Sequence, residues 1–152
     1  MKINFFEKLL GSGFYSGYSP IISGTVGSLV AIGIYLIPGF EQLLIILPAT
    51  ILFFGYGILV GDKFEIQYGK DPAQCTIDEI VGTWISLIAL PKTIWVVIIT
   101  FIIWRILDIV KPPPARNLEK IKGGLGIMLD DVVSGAYTLI IMHLAVYLLG
   151  SF

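Results

Sequence analysis

No Asp, Glu, Lys or Arg occurs between residues 9 and 40, and four more apolar stretches follow at 42–61, 80–90, 93–110 and 132–150. Of these four, only 93–110 holds formal charges, Arg105 and Asp108, both near its end. A run of about 20 apolar residues matches the hydrocarbon thickness of a bilayer. Backbone amides that meet lipid must be satisfied within their own segment, which selects helices here. Composition agrees: 56% of residues are hydrophobic, 14% are charged and the mean hydropathy is +0.89. A soluble domain carries about 25% charged residues. The expected fold is therefore all-α, a polytopic membrane bundle of about five helices forming one domain over residues 1–152.

Local signals place the breaks. Residues 11–25 are rich in Gly and Ser and contain Pro20, which reads as a loop or re-entrant segment, with Ser23 or Thr25 capping a helix that runs to Ile37. Pro38-Gly39 turns the chain, and Pro48 is a potential kink in the next helix. Residues 62–79 are polar and partly helical. Stretch 80–90 is short for a span at about 1.5 Å per residue, and crosses only if its helix starts near Thr76 or the membrane thins. Pro91-Lys92 turns the chain again, and Pro112-Pro113-Pro114 stops the following helix. With the N-terminus inside, Lys2, Lys8, Lys63, Lys70, Arg105, Lys111, Arg116, Lys120 and Lys122 fall on the cytoplasmic side and Lys92 alone falls outside. Residues 1–10 mix Glu7 with Lys2 and Lys8 and do not read as a cleaved signal peptide.

Several functions are excluded early. A net charge of −1 offers no basic surface for nucleic acid. Cys75 is the single cysteine, so there is neither an intrachain disulfide nor a Cys/His zinc set. What remains is acidic. Asp78-Glu79, Asp108 with Lys111, and Asp130-Asp131 stand at predicted helix ends, and in the five-helix arrangement all three groups meet one membrane face. Carboxylates beside apolar runs are costly unless paired, hydrated or metal-bound. Taken one at a time they read equally well as headgroup-level salt bridges; taken together they suit a hard cation with oxygen ligands. Magnesium fits such a set, because it binds few carboxylates plus substrate phosphate, polarises the phosphoryl oxygen and acidifies bound water.

Gly24-Thr25-Val26-Gly27-Ser28 opens the first long helix, where free amides and small residues suit either a phosphate or close helix packing. Gly123-Gly124-Leu125-Gly126 lets backbone approach a ligand or another helix. Arg116, Lys120 and Lys122 form a basic group that reads as a headgroup clamp, with Arg116 the better fork for phosphate, or as plain attraction to anionic lipid. Trp84, Trp95 and Trp104 read as interfacial anchors or packing, and His143 as an interhelical histidine.

The runs Ser19-Pro20, Ser23 to Ser28, Lys70-Asp71-Pro72, Ile77-Asp78-Glu79-Ile80-Val81-Gly82, Arg105-Ile106-Leu107-Asp108-Ile109-Val110-Lys111-Pro112 and Gly123 to Asp131 resemble, in order and spacing, the phosphatidylglycerophosphatase A family over roughly residues 10 to 140. The resemblance implies a bacterial inner-membrane enzyme, multi-pass, with its site facing the cytoplasm. Such an enzyme removes the terminal phosphate of phosphatidylglycerophosphate with Mg2+, leaving phosphatidylglycerol and inorganic phosphate. By position it implies Asp78, Glu79, Asp108, Asp130 and Asp131 as catalytic and metal-binding acids, with Asp71 beside them. It implies Lys111 facing phosphate, and Gly24, Thr25, Gly27 and Ser28 lining the phosphate pocket. Two departures stand out. The family's Lys-Pro-Trp-Pro is here Lys111-Pro112-Pro113-Pro114, and Trp104 replaces a Phe before the Arg-x-x-Asp run.

Other phosphatase chemistries lack their residues. Val81, not Arg, stands six positions after Cys75; no Asp-x-Asp pair exists; and one histidine is too few for a histidine-nucleophile scheme. Metal-activated water with a carboxylate base leads, and a carboxylate nucleophile stays open. Two rivals stay open as well. A CDP-alcohol-type phosphotransferase would need a denser Asp-x-x-Asp-Gly pattern than this chain has, and a membrane cation carrier would bind its ion through buried acids and release no phosphate. If His143 is interhelical, His143→Ala retains phosphate release within about twofold of the parent protein, whereas loss of a general acid or base lowers it about 100-fold or more.

Overall fold

The computed structural model describes residues 2–150. Among them are seven helices and one 3-10 turn: α1 (Phe5–Gly11), the turn at Ser16–Tyr18, α2 (Ser23–Tyr35), α3 (Leu43–Tyr68), α4 (Ile77–Leu87), α5 (Ile94–Val110), α6 (Ala115–Leu118) and α7 (Gly124–Leu149). No strand occurs among the described residues. The five longest helices occupy the five apolar stretches read from sequence, and α1 and α6 are short additions.

α4 organises the packing. It has only 11 residues, roughly 16 Å of helix. Ile77, Asp78, Ile80, Val81, Gly82, Thr83, Trp84, Ser86 and Leu87 are all buried, because α2, α3, α5 and α7 surround it. A helix enclosed by other helices does not expose its ends to lipid, so its length need not match a bilayer. Its polar side chains are satisfied locally. Thr83 donates to the Glu79 carbonyl at 2.6 Å and Ser86 to the Thr83 carbonyl at 2.7 Å. The Trp84 indole donates to the Ala31 carbonyl at 3.0 Å and lies between the Phe40 and Phe53 rings. Trp84 is thus a core residue and not an interfacial anchor, as is Trp104; Trp95 is exposed. A second core holds Val60, Phe64, Cys75, Ile77, Val81, Ile127 and Met128.

Two helices are longer than the sequence suggested. α3 runs unbroken through Pro48 and past Gly61 to Tyr68, because Val60, Gly61 and Phe64 keep one buried face inside the polar stretch. α7 begins at Gly124, not near Val132. Its start is fixed by α3: Asp62 accepts the Gly124 amide at 2.7 Å, and Glu65 accepts the Gly123 amide. Carboxylates placed on free first-turn amides also oppose the positive end of the helix dipole. Gly124 is required there, since a Cβ would run into the Ile58 carbonyl. The Gly-rich run is therefore a close helix contact, and Asp130 and Asp131 sit in the second turn of α7 instead of before it. α2 begins at Ser23, after Ile22 at φ +45°, without a side-chain cap.

α3 and α7 have 26 residues each, about 39 Å, and are long and apolar enough to cross a membrane. Their outward faces carry exposed residues such as Leu44, Leu52, Leu59, Leu144 and Leu148. Contiguous apolar surface of that kind belongs against lipid. The starts of α2, α4 and α7 and the ends of α3 and α5 gather at one pole of the bundle. At the other pole, Lys92 pairs with Glu41 at 2.7 Å and donates to the Ile37 carbonyl at 3.0 Å.

Asp62→Ala removes the carboxylate cap from α7. It is expected to cost about 1–2 kcal/mol, read as a lower thermal midpoint in detergent, with Asp62→Asn, which keeps an acceptor, losing less.

Candidate active site

The first turn of α4, the last turn of α5 and the second turn of α7 bring five carboxylates together at one pole. Asp78, Asp108, Asp130 and Asp131 are buried, and Glu79 is partly so. Glu79, Asp108 and Asp131 each offer one oxygen, and the three oxygens lie within 4.8 Å of one another. Asp78 sits beside this triad with one oxygen on the Glu79 amide at 2.9 Å, which steadies the first turn of α4.

Two cations hold the acids in place. Arg105 pairs with Glu79 and, one helical turn along α5, with Asp108 at 3.0 Å. Lys111 closes α5 in a left-handed conformation, φ +48°. Its ammonium meets Asp130 at 2.6 Å, Glu119 at 3.3 Å and Asp71 at 3.9 Å. Partial burial works against the Lys111 charge, but the hydrogen bond to Asp130 and the surrounding acids outweigh it and hold its pKa above the ordinary lysine value. Lys111 is therefore charged at any physiological pH.

The start of α2 closes the site from the side. Gly24 stands where a Cβ would collide with the Glu79 carboxylate, so this glycine admits Glu79 and Arg105 against the helix. Ser28 is buried at the junction. Its single proton serves the Gly24 carbonyl at 3.0 Å or Glu79 at 3.4 Å, and its oxygen receives the Trp104 indole at 3.2 Å. Gly27 allows close packing on Thr76, whose Cβ would stand only 3.0 Å from a methyl group added to this glycine. Thr25 is half-buried and makes no side-chain hydrogen bond among the described residues. The first-turn amides of α2 have no partner inside the helix and open beside Glu79 and Arg105.

The set is incomplete as it stands. One oxygen each of Asp130 and Asp131, the Ser134 hydroxyl and the Arg105 Nε are buried without a hydrogen-bond partner. An unsatisfied buried polar atom costs about 1–3 kcal/mol, and several at one place mark a site completed from outside. Five carboxylates against two cations leave an excess of negative charge. Oxygen donors clustered this closely fit a hard divalent ion such as magnesium.

Most residues expected from sequence meet here: Gly24, Ser28, Asp78, Glu79, Asp108, Lys111, Asp130 and Asp131, with Asp71 at the rim. Arg116 does not. It is exposed on α6 and makes no ion pair within 4.0 Å among the described residues. The guanidinium inside the site belongs to Arg105, which the sequence reading treats as an orientation signal. A charge within an apolar helix, three residues before Asp108, is the clue to its role. His143 bonds the Leu139 carbonyl of its own helix at 2.9 Å, far along α7 from the acids.

A family model described as phosphatidylglycerophosphatase A matches residues 9–146. A Bacteroides thetaiotaomicron protein provisionally named a phosphatidylinositol-3-phosphatase is 41% identical, over 97% of this chain and 98% of its own. The phosphatidylglycerophosphatase A of Escherichia coli is 40% identical over 89% of this chain and 80% of its own. That of Haemophilus influenzae is 35% identical over 91% and 88%. No solved structure matches the chain.

Lys111→Ala leaves the Asp130 carboxylate buried without its cation. It is expected to destabilise the protein by about 3 kcal/mol, read as thermal unfolding in detergent. Asp71→Ala, at the exposed rim, is expected to cost under about 1 kcal/mol in the same measurement.

Proposed function

The chain belongs to the phosphatidylglycerophosphatase A family and is a phosphatase, and from that premise we propose that it hydrolyses phosphatidylglycerophosphate to phosphatidylglycerol and inorganic phosphate with Mg2+. The observation that carries the reading is the convergence of the family's acidic runs on one pole, with Glu79, Asp108 and Asp131 offering oxygens within 4.8 Å. These three would hold the ion. The unpartnered oxygen of Asp131 and the charge excess around it fit that role. Magnesium, when bound, supplies neutralisation of the phosphoryl charge and makes a nearby water easier to deprotonate.

The remaining roles fall to the chain's own groups. Lys111, permanently charged, and the free amides at the start of α2 face the phosphate. Asp130 is anchored by Lys111 through one oxygen, and its other oxygen is without a partner. That free oxygen is suited to take the proton of the attacking water as the bond to phosphorus forms, and to return it to the glycerol oxygen as its bond to phosphorus breaks and it leaves as the alcohol. Arg105 keeps Glu79 and Asp108 paired and aligned. Exposed Arg116 acts at the lipid surface through charge alone. Nine of the ten basic residues lie toward the site pole in sequence and Lys92 lies opposite, which supports a cytoplasm-facing site on a multi-pass protein of the bacterial inner membrane.

The name of the Bacteroides relative favours a second substrate, a phosphoinositide carrying a 3-phosphate. Phosphate release by the purified protein in detergent separates the readings. Phosphatidylglycerophosphate, phosphatidic acid and phosphatidylinositol 3-phosphate are compared with Mg2+ and with chelator, beside Asp130→Asn and Asp78→Asn. Mg2+-dependent release from phosphatidylglycerophosphate, lowered about 100-fold or more in Asp130→Asn, is the expected result. Release from the phosphoinositide alone selects the second substrate. No release from any lipid by folded protein overturns both.

A further inference from the structure

On its lipid-facing side the bundle has a concave apolar groove of about 250 Å3 between α3, α4 and α7. Leu47, Ile51 and Phe54 form one wall, and Val81, Ile85 and Ile88 run along the other. Thr50 also faces the groove, but its hydroxyl is spent on the Ile46 carbonyl at 2.7 Å, so the lining is in effect hydrocarbon. The floor reaches into the protein, since Val81 is fully buried, while the Ile51 wall is 68% exposed. This is a slot open to the side, not a flat helix face.

Its placement ties it to the acids. Asp78, Val81 and Ile85 follow one another at intervals of three and four along α4, so they lie on one stripe of the helix, and Ile88 follows just past its end. The stripe is carboxylate at the top and hydrocarbon below. Val132 enters the groove from α7 immediately after Asp131. The slot thus begins one turn from the acid cluster and extends roughly 10 Å along the bundle. The other open grooves lack this relation. The one at Leu139, Ile140, His143 and Leu144 is on α7 alone, and the one at Tyr56, Leu59 and Ile66 holds the Glu7–Lys63 ion pair and Asp62, not the acid cluster.

We propose that this groove seats the upper part of one acyl chain of the lipid substrate, so that the bound lipid hangs from Asp78 along α4 with its phosphate at the acids. The proposal rests on the lipid phosphatase reading and adds the group by which the enzyme holds the diacyl part of its substrate. A chain held in the slot fixes the headgroup's height against Glu79, Asp108 and Asp131. Recognition then combines an apolar anchor with a charged end, as concave ligand sites do.

The test uses full-length protein in mixed micelles with Mg2+ and two forms of phosphatidylglycerophosphate, one with long acyl chains and one with water-soluble short chains. Ile85→Trp fills the groove, and Ile140→Trp places the same bulk on the exposed face of α7. The ratio of kcat/KM for long over short chains is expected to fall about tenfold in Ile85→Trp, mainly through KM, and to stay at the parent value in Ile140→Trp. An equal ratio in the parent protein and Ile85→Trp overturns the groove. So does a loss of both substrates in equal proportion. A long-chain lipid carrying a photoreactive group near the top of one chain gives an independent reading on the parent protein. Crosslinks at α3 and α4 lining residues support the proposal, and crosslinks confined to other faces overturn it. Release of no phosphate from either substrate by the parent protein would instead bring down the phosphatase reading, while the crosslinks still decide where the chain lies.

Discussion

Five carboxylates at one pole of an apolar bundle are tolerable only because Arg105 and Lys111 stand among them. Each cation reaches more than one acid and each comes from the end of α5, so this helix carries the counter-charge for α4 and α7 as well as for itself. The positions of α4, α5 and α7 are coupled through these pairs. Moving any one of them would strip a buried carboxylate of its partner, a change that costs several kcal/mol in other proteins. Helix direction contributes too. α2, α4 and α7 begin at this pole, so their positive dipole ends face the acids.

Below the acids the fold is a matter of volume. α4 can lie at the centre because small residues let its neighbours close on it, and because its hydroxyls and Trp84 indole are satisfied without water. α3 and α7, the long helices, present the outward apolar surface. Clamping the start of α7 to α3 through Asp62 and Glu65 sets the height of Asp130 and Asp131 relative to Asp78 and Glu79. Two acids that take no part in the cluster therefore determine where two of its members stand.

The all-helical class, the positions of the five longer helices and the gathering of the acids at one pole were legible because they follow from period, length and proline stops. Charge placement alone brought Asp78, Glu79, Asp108, Asp130 and Asp131 together. The start of α7 was not legible. Gly123, Gly124 and Gly126 carry no propensity that favours a helix, and only carboxylates from α3, some 60 residues earlier in the chain, make one begin there. The same holds for α4. Its shortness looked like a defect in a span, and its enclosure by four neighbours is a tertiary fact that no local pattern contains. Arg105 was missed for a similar reason: its charge reads from sequence as an orientation signal, and only the packing of α5 against α4 shows it paired with Glu79 and Asp108.

The burial of Cys75 beside Ile77 and Phe64, at the foot of the acidic pole, has a chemical consequence. Loss of hydration, reinforced by the negative charge of Asp78, pushes its thiol well above the usual range, so thiolate is scarce. Thiolate is the form that oxidants and alkylating reagents attack. The chain's one thiol is therefore shielded from such reagents, and a cysteine introduced on an outer face would react in preference to it.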